Sequence, residues 1–230
     1  MTKWKGRVAS VAPFLGLVTS SVSPGVLNIS GLASGTSLTA VAAVMASVGG
    51  LLFSPMASAE TLSGANTTTI TKTGNPLVVE TDDSFGIVTT SGPALDLRGT
   101  NGTTFTDNFN STITGGTYGI FARNYGTDAL SVTSTGAVTG TSGDGIRAFN
   151  DTPGTDLTVS AAAVSGGKYG ILANNAGTGA LSVTATGDVS GTSEKGIYAR
   201  NYNTNGTDLT VSAAAVSGGE YGIKAFNFGT

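Results

Sequence analysis

The sequence predicts an all-β chain, a right-handed parallel β-helix solenoid of about 25–26 residues per coil that follows an amino-terminal signal segment. Three observations predict it: a motif recurring at constant spacing, period-two alternation inside the repeat, and a composition rich in glycine and small hydroxyl side chains. The motif Gly-Ile-x-Ala-x-Asn occurs at residues 119–124, 145–150, 170–175, 196–201 and 222–227. Its isoleucines stand at 120, 146, 171, 197 and 223, giving periods of 26, 25, 26 and 26. Such constancy is the mark of stacked units that each bury their apolar side chains against the next one.

Residues 1–59 read as an extended signal peptide. Lys3, Lys5 and Arg7 are followed by no charged residue until Glu60. Leu38 to Phe53 is the most continuous apolar run, Pro55 ends a helix there, and Ala57-Ser58-Ala59 supplies the small residues a signal peptidase reads. Cleavage is expected between Ala59 and Glu60. The apolar run of 16 residues is short for a membrane span, which needs about 20.

Residues 60–114 read as an amino-terminal cap and degenerate coils, since a solenoid needs an atypical unit to cover its end. Strands are expected at Thr67 to Thr71 and Leu77 to Glu80 around a Gly74-Asn75-Pro76 turn. Phe85-Gly86-Ile87 echoes the later Tyr-Gly-Ile, and Ile113-Thr114-Gly115 matches Val138-Thr139-Gly140.

Residues 115–230 are the regular repeats, truncated partway through a fifth unit. Each motif except the last is followed by a Leu-x-Val segment, at Leu130, Leu157, Leu181 and Leu209, and by a Val-x-Gly segment, at Val138, Val164, Val189 and Val216. Apolar-polar alternation over short segments broken by Gly, Asn, Thr and Asp is strand-and-turn patterning. Three strands per unit make one coil. Asn124, Asn150, Asn175, Asn201 and Asn227 fall where the chain turns, and are expected to form a structural amide ladder along the axis; the other reading is a solvent-facing Asx-turn. Gly-Gly-x-Tyr-Gly and Gly-Thr-Ser-x-x-Gly openings alternate, so Tyr118, Tyr169 and Tyr221 recur on every second coil. A β-propeller with 51-residue blades is the structural rival, but the half-period identity of Ile, Ala, Asn, Leu and Val favours single coils.

Cysteine and histidine are absent, which removes Ser-His-Asp and Cys-His catalysis, Cys/His metal sites and disulfides. Residues 60–230 carry 8 basic against 14 acidic groups, a balance that argues against nucleic acid as a partner. Asp128, Asp156 and Asp208 recur near one turn, but the nonapeptide calcium pattern is missing, and they read as solvated turn residues. Arg123, Arg147 and Arg200 occupy near-equivalent repeat positions, unlike the convergent unlike residues that catalysis needs. No catalytic residue, metal site or cofactor is expected. Tyr125, Tyr198 and Tyr202 are candidate contact residues on a repetitive flank.

A long leader ahead of a cysteine-free Gly/Thr/Ser/Asn-rich array, with motifs such as Tyr118-Gly119-Ile120-Phe121-Ala122-Arg123-Asn124 and Gly196-Ile197-Tyr198-Ala199-Arg200-Asn201, resembles the passenger region of Gram-negative autotransporters, the type V secretion proteins. The resemblance implies a β-helix passenger of adhesin or biofilm type at the cell surface, exported by a carboxy-terminal translocator barrel and binding a host or bacterial surface protein or glycan. To Thr230 no segment shows the alternation of barrel strands, so a piece of a longer protein is expected, periplasmic if the product is truly truncated. Two alternatives stay open: a polysaccharide-active β-helix enzyme, and a two-partner secretion exoprotein, whose Asn-Pro-Asn-Gly motif is absent here.

Overall fold

The computed structural model describes residues 19–23, 26–30 and 58–230. The chain divides into two units, Met1–Met56 and Ala57–Thr230. In the first, Thr19–Ser23 pairs antiparallel with Val26–Ser30. The basic amino terminus, the apolar run Leu38 to Phe53 and Pro55 lie outside the described residues.

The second unit is a parallel β-solenoid of three seven-stranded sheets, with no helix among the described residues. A leucine sheet stacks Glu60–Leu62, Leu77–Thr81, Thr103–Asp107, Leu130–Ser134, Leu157–Ala161, Leu181–Ala185 and Leu209–Ala213. A valine sheet stacks Ala65–Asn66, Gly86–Val88, Ile113–Gly115, Val138–Gly140, Val164–Gly166, Val189–Gly191 and Val216–Gly218. An isoleucine sheet stacks Ile70–Gly74, Leu95–Gly99, Ile120–Asn124, Ile146–Asn150, Ile171–Asn175, Lys195–Asn201 and Tyr221–Asn227. The chain visits the sheets in that order once per coil, and every pairing within them is parallel.

Like residues stack on like. Ile120 pairs with Ile146, Ile146 with Ile171, Ile171 with Ile197 and Ile197 with Ile223; the leucines and valines keep the same register. The alternation sends one side-chain set inward, where Ile120, Ala122, Leu130, Val132, Ile146, Leu157, Ile171, Leu181 and Ile197 are completely buried. Each such valine, leucine or isoleucine contributes roughly 1.5–3 kcal/mol on burial. The rungs are held about 4.8 Å apart by the parallel ladders.

The repeat's glycines have a packing cause that spacing alone does not reveal. A β-carbon at Gly119, Gly145, Gly170 or Gly196 would run into a γ-carbon of Val138, Val164, Val189 or Val216, the valine one coil further on. The glycine that opens the motif is therefore the socket for the next coil's valine.

Two expectations for the degenerate coils are corrected. Phe85-Gly86-Ile87 is not an early Tyr-Gly-Ile: Ile87 pairs with Ile113 in the valine sheet. The upstream equivalents of Ile120-x-Ala122 are Leu95-x-Leu97 and, before them, Ile70-x-Lys72. The first isoleucine-sheet strand starts at Ile70, leaving Thr67 to Thr69 in the connecting segment. Register is set by which residues fill the core, and Leu95 and Leu97, both fully buried, do so without the Gly-Ile signature. Ile113 pairs with Val138 as its spacing predicts. Lys72 takes a core-column position in the first coil, where it pairs with Glu60 in place of an apolar contact.

Candidate binding face on the isoleucine sheet

Polarity divides the solenoid surface. The outward positions of the leucine sheet carry Thr104, Ser131, Thr158, Ser182 and Thr210 in one column and Thr106, Thr133, Ser160, Thr184 and Ser212 in the next. The valine sheet presents Thr114, Thr139, Ser165, Ser190 and Ser217. The isoleucine sheet differs. One outward column reads Asp96, Phe121, Arg147, Leu172, Tyr198, Lys224 and the other Arg98, Arg123, Phe149, Asn174, Arg200, Phe226. Of the 13 aromatic residues after Glu60, ten lie in this sheet or in the residues flanking its strands. So do all 8 basic residues, Lys72 standing apart at the capping end.

Rings and cations interleave along the axis. Arg147 lies over the Tyr118 ring at 4.5 Å and donates to its hydroxyl at 2.9 Å. Arg98 covers Phe121 at 5.1 Å, Arg123 covers Tyr125 at 4.6 Å, and Arg200 covers Tyr202 at 3.7 Å. Tyr169 stacks on Tyr198 with ring centroids 5.8 Å apart. The two-coil superrepeat acquires a physical meaning here, because Tyr118 and Tyr169 each pack on a cation of the following coil, Arg147 and Lys195. Such contacts are worth about 0.5–1 kcal/mol where exposed and more where water is excluded.

Carboxylates on this face are tied to cations. Asp96 holds Arg98 through Nε and Nη2, at 2.7 and 3.0 Å, and that hydrogen bonding raises the guanidinium above its ordinary range. Asp151 holds Arg123, and Lys195 sits between Glu220 and Glu194; its hydrogen bonds to them push the ammonium up. Asp144 is fully buried beneath Arg147 at 2.6 Å. Burial pushes its carboxyl up, and the arginine offsets this only in part. At the amino-terminal end an open groove of about 450 Å³ is lined by Thr73, Gly74, Asn75, Arg98, Thr100 and Tyr125.

The five asparagines stand at the inner edge of this face. Asn124 donates to Asn150 Oδ1 at 2.8 Å, Asn150 to Asn175 at 2.9 Å and Asn175 to Asn201 at 3.2 Å. The same amides shape the turn: Asn124 and Asn175 each accept from the backbone N–H two residues on, Gly126 and Gly177. Ladder and Asx-turn are thus one arrangement, and it is buried. The ladder stops at Asn201, whose Nδ2 donates to the Gly179 and Thr207 carbonyls at 3.4 and 3.5 Å, and the exposed Asn227 does not join it, donating to the Thr207 carbonyl at 3.0 Å. Ala59 and Glu60 precede and begin the first leucine-sheet strand.

Sequence spacing placed the arginines only in part. Arg98, Arg123 and Arg200 share one column, whereas Arg147 stands two residues away in the other. Arg98 escaped notice because its coil lacks the motif; its signal was the alternation Leu95-Asp96-Leu97-Arg98. Tyr125 and Tyr202 are 39% and 41% exposed, and Tyr198 is half-buried between its neighbours. Asp128, Asp156 and Asp208 are exposed, and among the described residues no group of three or more acidic side chains is placed to hold a metal ion.

Fold and face define a parallel β-solenoid with one aromatic and cationic side. No protein-family model matches the chain, and no curated protein or solved structure matches it significantly.

Proposed function

We propose that this chain is part of an autotransporter-type passenger, an adhesin or biofilm-type structural protein that is exported and shown at the cell surface by a translocator barrel. It acts without catalysis, through many weak contacts along a stiff rod to a surface protein or glycan. The observation that carries this reading is the gathering of aromatic and basic side chains on one of three faces, the others being lined with serine and threonine. A stiff array of similar contacts gains avidity because each engagement raises the effective concentration of the next. Tying Asp96, Asp144 and Asp151 to arginines argues for recognition over acid-base chemistry, which needs a carboxylate free to exchange protons.

The test is adherence. Fused to a translocator barrel and expressed in a non-adherent bacterium, the chain should promote autoaggregation or attachment to cells. Replacing Tyr125 and Tyr202 together with alanine should weaken either at unchanged surface level. Cells that stay dispersed and unattached despite full display would refute the adhesin reading. The displayed protein should begin at Glu60 by mass spectrometry; retention of residues 1–59 would refute the leader assignment.

A further inference from the structure

Along the face, some cations differ from the rest. Arg98, Arg123, Arg147 and Lys195 are each bound to a carboxylate, but Lys168, Arg200 and Lys224 have none among the described residues, and only the last two stand beside exposed rings. Arg200 spends one N–H on the Tyr202 hydroxyl, at 2.7 Å. Its Nε is buried with no partner, and so is Asn174 Oδ1, on the residue it pairs with in the neighbouring strand. Around these cations the rings form a terrace: Tyr202 stacks on Phe228 at 6.5 Å, Phe228 on Phe226 at 6.2 Å, and all three are 38–49% exposed.

Charge across the molecule is equally uneven. The platform, taken as the isoleucine sheet without its capping coil, holds seven basic and five acidic residues, while nine acidic residues, Glu60 among them, and Lys72 lie elsewhere from Glu60 onward. The serine- and threonine-lined columns of the leucine and valine sheets offer a negatively charged ligand no cation, whereas the isoleucine sheet does. Resting on the surface-binding reading above, we infer that the Arg200–Lys224 terrace binds an acidic polysaccharide, a chain of uronic-acid sugars lying along the solenoid axis.

The chemistry is complementary in both parts. Tyr202, Phe226 and Phe228 offer broad apolar surfaces to the C–H faces of sugar rings. Arg200 and Lys224 donate charge-assisted hydrogen bonds to carboxylates, the stronger kind of such bonds. Cations and rings recur at the rung spacing of about 4.8 Å, of the same order as one sugar residue in an extended chain, so neighbouring rungs meet neighbouring sugars. A nucleic acid fits poorly, because its phosphate density calls for many free cations and this terrace has two.

The experiment is calorimetric titration of the full chain with polygalacturonate, with its fully methyl-esterified form, with neutral dextran and with poly-dT, at low salt. Polygalacturonate is expected to bind, and its methyl ester at least about tenfold more weakly, the equivalent of one lost charge-assisted hydrogen bond. A chain carrying both Arg200→Gln and Lys224→Gln should lose polygalacturonate affinity by about tenfold or more, with circular dichroism unchanged. Thr158→Gln, on the leucine sheet, should leave binding intact. Equal binding of the ester, tighter binding of poly-dT, or a double variant that is folded and binds normally would each overturn the inference. Absence of polygalacturonate binding alongside retained cell adherence would overturn it and leave the adhesin reading standing; loss of both would remove the two together.

Discussion

Replacing Asn150 with aspartate changes one atom in the centre of the solenoid and tests whether the ladder is dry. In the native chain Asn150 Nδ2 donates to Asn175 Oδ1 at 2.9 Å, to the Thr155 carbonyl at 3.0 Å and to the Asp156 carbonyl at 3.2 Å, with the residue 1% exposed. Asn150→Asp puts an acceptor where all three partners are acceptors. An uncompensated buried charge costs roughly 3–5 kcal/mol, a large share of a total stability of about 5–15 kcal/mol. Asn150→Ala loses the same bonds without adding a charge. It leaves Asn124 Nδ2 bonded to the Gly126 and Asp128 carbonyls and Asn175 Oδ1 accepting from Gly177, so about 2–3 kcal/mol is expected from hydrogen bonds each worth about 1 kcal/mol net. The aspartate variant should also respond to pH with a distinctive sign. Burial raises the introduced carboxyl's folded pKa above its unfolded value of about 3.9, so the penalty is full at neutral pH and is relieved as the pH falls through the folded pKa. Urea unfolding followed by circular dichroism at pH 7 and at pH 4.5 measures both effects. A cost below about 1 kcal/mol at pH 7, or a cost that does not shrink on acidification, would mean that water reaches these amides and that the ladder is not a core element.

Three further outcomes are expected. Ile171→Ala should cost about 2–5 kcal/mol, and hydrogen exchange should rise most in the coils on either side of Ile171, because solenoid units couple to nearest neighbours; a uniform rise along the chain would contradict that coupling. Burial pushes the Asp107 carboxyl up, but hydrogen bonds from Ser111, Thr81, the Phe109 N–H and Ser134 outweigh it and leave it below the ordinary range. Its stabilisation is therefore present above about pH 3.9 and lost as the pH falls through the lowered folded value, so Asp107→Asn should be destabilising at pH 7 and progressively less so on acidification. Asp144, held above the ordinary range by burial, runs the other way: its penalty is present at neutral pH and relieved on acidification. Asp144→Asn should thus cost less at pH 7 than Asp107→Asn, and the opposite ranking in denaturant titrations would refute the assignment. Gly126→Ala should block folding or cost at least about 3 kcal/mol, since its β-carbon would collide with the Thr100 carbonyl of the preceding coil, whereas Gly86→Ala meets only the Thr112 carbonyl at 3.9 Å and should be tolerated; equal melting temperatures for the two would be decisive against this packing.

The architecture from Ile113 onward was legible because its core is built from repeated identities. Ile120, Leu130 and Val138 each mark a different sheet, and their spacing sets the register before any coordinate is known. Upstream the same fold is written in different letters. Leu95 takes the place of an isoleucine, Leu97 that of Ala122 and Gly99 that of the ladder asparagine, so a motif search follows Phe85-Gly86-Ile87 into the wrong sheet. Burial tolerates such exchanges because the core needs volume and apolarity, not a given residue. The face was only half legible for a related reason. Outward positions carry no periodic constraint, and which cation meets which ring depends on side chains from three coils at once: Tyr118, Arg147 and Phe149 span two coils, and Phe121 links them to Arg98 in a third. Charge counting along the chain gave a net acidic balance and concealed that its basic residues share one side.

Fourteen consecutive residues, Gly-Thr-Asp-Leu-Thr-Val-Ser-Ala-Ala-Ala-Val-Ser-Gly-Gly, occur identically at 154–167 and 206–219, separated by two full coils. Each copy supplies a leucine-sheet strand and the valine-sheet strand after it, in the same sockets. A crossover between the encoding stretches would remove or add two coils without leaving a seam in any sheet, since every rung meets the next through the same contacts. The rod would change length in steps of about 10 Å, two strand spacings, while Tyr118, Tyr169 and Tyr221 kept their alternate phase. Solenoid length could then vary among descendants of one gene without any folding solution being found anew.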